Sequence, residues 1–117
     1  MKRSTSRNDR ASILSILDSI ARINEYIVNI AGPTDYYENK LVFDATLMNF
    51  INIGEMANRL SEDLRIRHAE LDWQKIKSFR NLVVHDYLGV DAEEVWQITK
   101  TDLPELNIKL ASILEKL

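Results

Sequence analysis

The chain has 117 residues, of which 45% are apolar and 28% charged, and it contains no cysteine. This length suits one domain, and the lack of thiols excludes disulfides and thiolate metal sites and favours a reducing cytosol. The net charge of −3 argues against a protein that coats nucleic acid broadly, because such proteins usually present a basic surface.

No apolar run approaches the roughly 18 residues of a membrane span. The basic N-terminus is not followed by the apolar core of a signal peptide. We therefore expect a single cytoplasmic domain over residues 1–117 with no membrane contact. Three glycines and two prolines leave few turn positions, which favours long helices over a many-stranded sheet.

The first helix is predicted from apolar residues that recur at steps of three and four from Ile13 to Ile30. We expect residues 1–8 to be frayed and Asn8 or Asp9 to cap this helix. The helix should run to Ala31, where Gly32 and Pro33 end it. A short turn over residues 34–38 follows.

The second long helix is predicted from about Lys40 to Leu60. Its apolar side chains cover more than the roughly 100° face that a helix buries against its own domain. Either this is a central helix covered on several sides, or it also faces a second subunit, and we favour the second subunit slightly. Glu55 and Arg59 have the i, i+4 spacing of a surface ion pair.

Capping residues mark the later helices. Ser61 and Asp72 are predicted to begin the next two, and the second of these has apolar side chains from Trp73 to Val83. Asp91 should cap a fourth main helix, with a kink or restart at Asp102–Pro104, because proline fits only a first helical turn. No segment has a strand pattern, so we predict an all-α antiparallel bundle of four to five main helices.

Several classes of active site find no support. The histidines, His68 and His85, are seventeen residues apart and form no HExxH or HxxxH pattern, so no metal site is expected. Three scattered glycines cannot form a phosphate-binding loop. With no cysteine and no Ser-His-Asp spacing, a nucleophilic hydrolase is not indicated, and no cofactor is predicted.

One stretch does carry chemistry, the sequence RNLVVHDY from Arg80 to Tyr87. A guanidinium can hold phosphate through two hydrogen bonds, and a neighbouring imidazole can move a proton near neutral pH. Together, these groups could cut RNA. On a regular helix, however, Arg80 and Tyr87 share a face, whereas His85 lies about 140° from Arg80. Three arrangements would bring them together: the helix loosens before His85, Arg80 reaches around the helix, or two subunits share the site.

This stretch resembles the R-x4-H-x-Y signature of HepT-like proteins in the HEPN superfamily, which are small helical ribonuclease toxins. The resemblance covers roughly residues 10–115. It includes the segments Phe43–Ala45, Asn52–Glu55, Arg59–Ser61 and Gly89–Asp91, together with Trp73 and Trp96. Residues 69–72 depart from the family, which often has proline before the tryptophan.

The resemblance implies a homodimer that cuts RNA without metal, in a cleft lined by paired motifs. His85 would act as general base or acid, and Arg80 would hold the scissile phosphate. Asn81 could position the phosphate or His85, or simply face solvent. The resemblance also implies a partner, a minimal nucleotidyltransferase that silences the toxin by adding AMP to Tyr87.

A second function class uses the same residues. Proteins of this shape have also been viewed as non-catalytic partners of nucleotidyltransferases, in which Arg80 and His85 would hold a nucleotide or a partner carboxylate. The intact Arg-His-Tyr set favours the enzyme.

Overall fold

A computed structural model describes residues 2–84 and 89–117, with side chains from residue 8 onward. Most of these residues are helical and none of them forms a strand, which confirms the all-α prediction. The helices are α1 (Lys2–Ile27), α2 (Pro33–Glu38), α3 (Lys40–Arg59), α4 (Glu62–Arg67), α5 (Trp73–Val84), α6 (Ala92–Gln97) and α7 (Leu103–Glu115), with a π-helical turn at Ile98–Asp102.

The bounds of α1 differ from the prediction at both ends. The helix begins at Lys2, so the predicted cap at Asn8 or Asp9 is wrong. The Asp9 carboxylate is buried and accepts hydrogen bonds from the Ser61 amide at 2.8 Å and hydroxyl at 2.7 Å. It therefore ties α1 to the start of α4. At the other end α1 stops at Ile27, whose carbonyl accepts from the Ile30 amide at 3.0 Å in a turn.

Helix α3 is the centre of the bundle and packs against α1, α5 and α2. The Asn52 amide donates to the hydroxyls of Ser15 at 3.0 Å and Ser19 at 2.8 Å. Because Asp9 contacts Ser61 further along, α1 and α3 run antiparallel. The wide apolar surface of α3 is thus largely explained by cover from its own chain.

The core is one cluster formed mainly by α1, α3, α5 and α7. Helix α1 contributes a row of isoleucines at helical spacing, namely Ile13, Ile16, Ile20, Ile23 and Ile27. The rings of Phe50 and Phe79 stack with centroids 5.4 Å apart and join α3 to α5. Tyr36 is fully buried between Phe43 and Trp96, and burial raises its pKa to about 12.

Three predicted caps are confirmed. Ser61 accepts from the Leu64 amide, Asp72 from the Lys75 amide and Asp91 from the Glu93 amide, at distances of 2.9–3.2 Å. The predicted restart near Pro104 is also confirmed, since the π-helical turn ends at Asp102 and α7 begins with proline in its first turn. Among the described helices, none combines the length and the apolar character required to cross a membrane.

Candidate active site

Arg80 is placed by the packing of α5. Ile76, Phe79 and Val83 are buried on the core face of this helix. Arg80 directly follows Phe79, about 100° around the helix, and therefore lies at the edge of that face beside α3. Its side chain is 42% exposed, so the guanidinium is held at the surface of the bundle and remains accessible to a solute.

The Arg80 guanidinium has a carboxylate partner on α3. Its Nε pairs with an oxygen of Glu55, and its Nη1 lies 3.3 Å from the Asn81 side-chain oxygen. The sequence spacing had predicted that Glu55 would pair with Arg59 on its own helix. That prediction is wrong, because α5 brings a second cation to Glu55 from across the bundle.

Gly54 lets the two helices approach closely at Arg80. A Cβ atom built on Gly54 would lie 2.7 Å from both the Cβ and the backbone nitrogen of Arg80, and 3.0 Å from the Lys77 carbonyl oxygen. Real Cβ atoms do not approach backbone atoms this closely, so a larger residue would force the helices apart. Two consecutive residues of α3 therefore contact Arg80: Gly54 lies against its backbone and Cβ, and Glu55 pairs with its guanidinium.

A polar groove opens beside this contact, with a volume of about 360 Å³. Its walls carry amide, hydroxyl and charged groups from α3 and α5, contributed by Glu55, Asn58, Gln74, Lys77, Ser78, Arg80 and Asn81. Such groups can hydrogen-bond to phosphate and sugar oxygens and to base edges. The groove is therefore suited to a polar, anionic ligand more than to an apolar one.

The structure brings together only part of the predicted site. Arg80 and Asn81 contact each other, whereas His85 and Tyr87 lie outside the described residues. His68 caps the C-terminus of α4, with its Nδ1 3.6 Å from a Glu70 carboxylate oxygen. Within residues 2–84 and 89–117, no group of three or more His, Cys, Asp or Glu could hold a metal ion.

Sequence reasoning missed the roles of Gly54 and Glu55 at this site. A glycine inside an apolar helix costs about 1 kcal/mol relative to alanine and often marks a close backbone approach. That signal was available at Gly54. Glu55 gave no comparable signal, because its spacing to Arg59 offered a local explanation.

A family model described as Ribonuclease HepT-like matches residues 16–113. The chain belongs to the HepT-like ribonuclease family. The match confirms the resemblance drawn from the sequence, and the helical structure is consistent with a fold of the HEPN type.

Individual relatives are named as putative or probable ribonucleases, which agrees with this family. "Putative RNase MJ1380" of Methanocaldococcus jannaschii is 27% identical, over 86% of this chain and 91% of its own length. "Probable ribonuclease HepT" of Thermococcus cleftensis is 26% identical, over 92% of this chain and 96% of its own length. "Gamma-glutamylcyclotransferase and putative RNase MJ0434" of M. jannaschii is 29% identical over 87% of this chain, which covers only 46% of that longer protein. No solved structure matches the chain.

In this HepT-like chain the contact at Gly54 can be tested by adding one methyl group. We expect Gly54→Ala to lower the free energy of unfolding by about 1–2 kcal/mol, because overpacking costs about 1–3 kcal/mol and higher helix propensity returns up to about 1 kcal/mol. Thermal and urea unfolding measure this change.

Gly32→Ser is the matched control for this substitution. A Cβ on Gly32 meets no atom within 4 Å, and Gly32 is the N-cap of α2 without a side-chain hydrogen bond. We expect this variant to be as stable as the parent or slightly more stable. Equal stability of Gly54→Ala and the parent would contradict the close approach of α3 and α5.

Proposed function

We propose that this chain is a metal-independent ribonuclease in which Arg80 binds the scissile phosphate of RNA. The observation that carries the proposal is the half-exposed guanidinium at the edge of a polar groove, in a chain of the HepT-like ribonuclease family. A guanidinium can hold two phosphate oxygens at once and offset the charge that develops in the transition state.

The reaction also needs a group that accepts and releases protons, and we assign this role to His85. The ribose 2′-hydroxyl attacks the adjacent phosphorus while His85 accepts its proton. The bond from phosphorus to the 5′-oxygen breaks, and that oxygen takes up a proton from water while His85 returns its proton to the solvent. The products are a 2′,3′-cyclic phosphate and a 5′-hydroxyl. An unperturbed imidazole has a pKa near 6.5, which suits either direction of transfer at neutral pH.

Substitution of the two proposed catalytic residues tests this assignment. His85→Ala should reduce cleavage of a labelled RNA by a factor on the order of 10²–10⁴, the usual contribution of general acid–base catalysis. Arg80→Lys should also fail, because lysine keeps the charge but loses the two-pronged contact. Gel analysis of single-turnover reactions measures both effects.

The chain provides a matched control for each substitution. His68→Ala removes the other histidine, and Arg59→Lys changes an exposed arginine on α3. Both should keep cleavage, and all four variants should keep their helicity. Full activity in His85→Ala would overturn the assignment. Absence of cleavage by the parent protein, combined with tight binding of a nucleotidyltransferase, would favour the non-catalytic alternative.

We further propose that two copies of the chain form the active unit. Leu41 and Met48 are 82% and 66% exposed, and Glu55 continues the same α3 face at steps of seven residues. A second copy that covers this face would approach the pair formed by Glu55 and Arg80. In a shared site, the His85 imidazole of one copy would serve the Arg80 of the other.

Light scattering tests the dimer. The parent should have about twice the 13.6 kDa mass of one chain. Met48→Glu should favour the monomer and lose RNA cleavage, since a buried unpaired charge is costly. Ile66→Glu is the matched control, because Ile66 is 67% exposed but lies on α4, and it should change neither property. A Met48→Glu monomer with full cleavage activity would exclude a shared site.

The biological role that we propose is that of a toxin silenced by a minimal nucleotidyltransferase, which attaches AMP to Tyr87. Tyr87 follows Arg80 by seven residues in the chain, and the added phosphodiester would carry a negative charge that the Arg80 guanidinium can bind. Its phosphate would compete with substrate phosphate for the guanidinium, and the adenosine would occupy space beside it. A phenol with a pKa near 10 is poorly suited to carry a proton at pH 7, so Tyr87 is assigned to regulation.

Tyr87→Phe should therefore keep most RNA cleavage and escape silencing by the cognate nucleotidyltransferase. Intact-mass measurement after incubation with that enzyme and ATP should show added AMP on the parent and none on Tyr87→Phe. Tyr37→Phe is the control, because Tyr37 is 50% exposed and lies on α2. It should be modified like the parent. Equal modification of Tyr87→Phe would place the switch at another residue.

A further inference from the structure

Two consecutive residues of α3 hold the two ends of the Arg80 side chain. At the backbone end, the absence of a side chain on Gly54 lets α3 contact the nitrogen and Cβ of Arg80. At the other end, the Glu55 carboxylate pairs with the guanidinium through Nε. A long arginine side chain normally samples many rotamers, and a restraint at each end reduces that freedom.

The place where the Glu55 carboxylate contacts the Arg80 guanidinium determines which of its nitrogens remain for a phosphate. Of the three guanidinium nitrogens, Nε lies against a Glu55 carboxylate oxygen and Nη1 lies 3.3 Å from the Asn81 side-chain oxygen. Among the described residues, these two contacts leave both N–H groups of Nη2 and one N–H group of Nη1 for other partners. A phosphate that binds through two oxygens can use one hydrogen on each terminal nitrogen. Glu55 and an RNA phosphate can therefore occupy the same guanidinium together.

Stability does not account for this ion pair. Both side chains are 42% exposed, and ion pairs at such positions contribute little to folding. Within α3, Glu55 could instead have paired with Arg59 at i, i+4, a contact that would place no restraint on α5. The carboxylate is directed instead to an arginine that lines the same polar groove.

We infer that Glu55 is a positioning residue that orients the Arg80 guanidinium so that its terminal nitrogens face the scissile phosphate of RNA. This inference rests on the ribonuclease function proposed above. The opposite arrangement, in which the carboxylate competes with phosphate and inhibits the enzyme, predicts the reverse effect of removing its charge.

Single-turnover cleavage of a labelled single-stranded RNA separates these possibilities. Glu55→Gln should lower the maximal rate roughly tenfold, because a misoriented guanidinium loses transition-state contacts. Its affinity for the same RNA with 2′-deoxyribose residues should change less than about twofold, since the cation remains. Arg59→Gln should keep the parent rate. A faster Glu55→Gln enzyme would show that the carboxylate inhibits, and an unchanged rate would show that it has no role.

Chemical rescue gives a readout that a purely structural role would not change. Arg80→Ala leaves Glu55 facing an empty space that a small guanidinium ion can enter. Ethylguanidinium should restore part of the cleavage to Arg80→Ala but not, at the same concentration, to the double variant Arg80→Ala with Glu55→Gln. Equal rescue of both variants would overturn the inference. Circular dichroism and melting curves should be the same for both.

A measurement without RNA separates this inference from the ribonuclease proposal. The NMR signal of the Arg80 Nε–H group, assigned by its loss in Arg80→Lys, should exchange slowly with water in the parent and rapidly in Glu55→Gln. If the parent cleaves no RNA but this difference is present, the proposed function fails and the ion pair stands. If the parent cleaves RNA and exchange is the same in both proteins, the positioning role fails.

Discussion

The close contact of α3 and α5 at Gly54 is the constraint on which the candidate site depends. Without a side chain at this position, the Arg80 backbone lies against α3, and the next residue of α3 can reach the guanidinium. The stacked rings of Phe50 and Phe79 join the same two helices within the core. The core thus fixes where the backbone of this surface arginine lies relative to α3, and the Glu55 carboxylate restrains the end of its side chain.

This arrangement gives a small acidic protein one defined position at which it can bind an anionic ligand. The net charge of −3 does not favour general attraction to RNA, so the proposed binding of RNA depends on a local group. Arg80 provides such a group, with Lys77 one turn earlier in the same groove. Membership of the HepT-like ribonuclease family agrees with a site of this kind. The roles proposed for His85 and Tyr87 would add two residues from further along the chain to this site.

Features set by neighbouring residues could be predicted from the sequence, and features set by distant residues could not. The caps at Ser61, Asp72 and Asp91 and the bounds of α3 follow from local patterns, and the structure confirms them. The roles of Asp9 and Glu55 depend on partners far along the chain. Local rules made Asp9 a candidate cap of α1 and made Arg59 the partner of Glu55. Tertiary packing instead brings each carboxylate a partner from another part of the chain. Arg80 was recognised because its chemistry stands out within an apolar helix.

The proposed function requires that the groove at Arg80 support cleavage of RNA by its own 2′-hydroxyl without a metal ion. Mass spectrometry of RNA fragments formed by the purified protein in EDTA tests this claim most directly. Attack by the 2′-hydroxyl should give fragments that end in a 2′,3′-cyclic phosphate, paired with fragments that begin with a 5′-hydroxyl. Fragments that begin with a 5′-phosphate, or cleavage that appears only after a divalent metal is added, would contradict it.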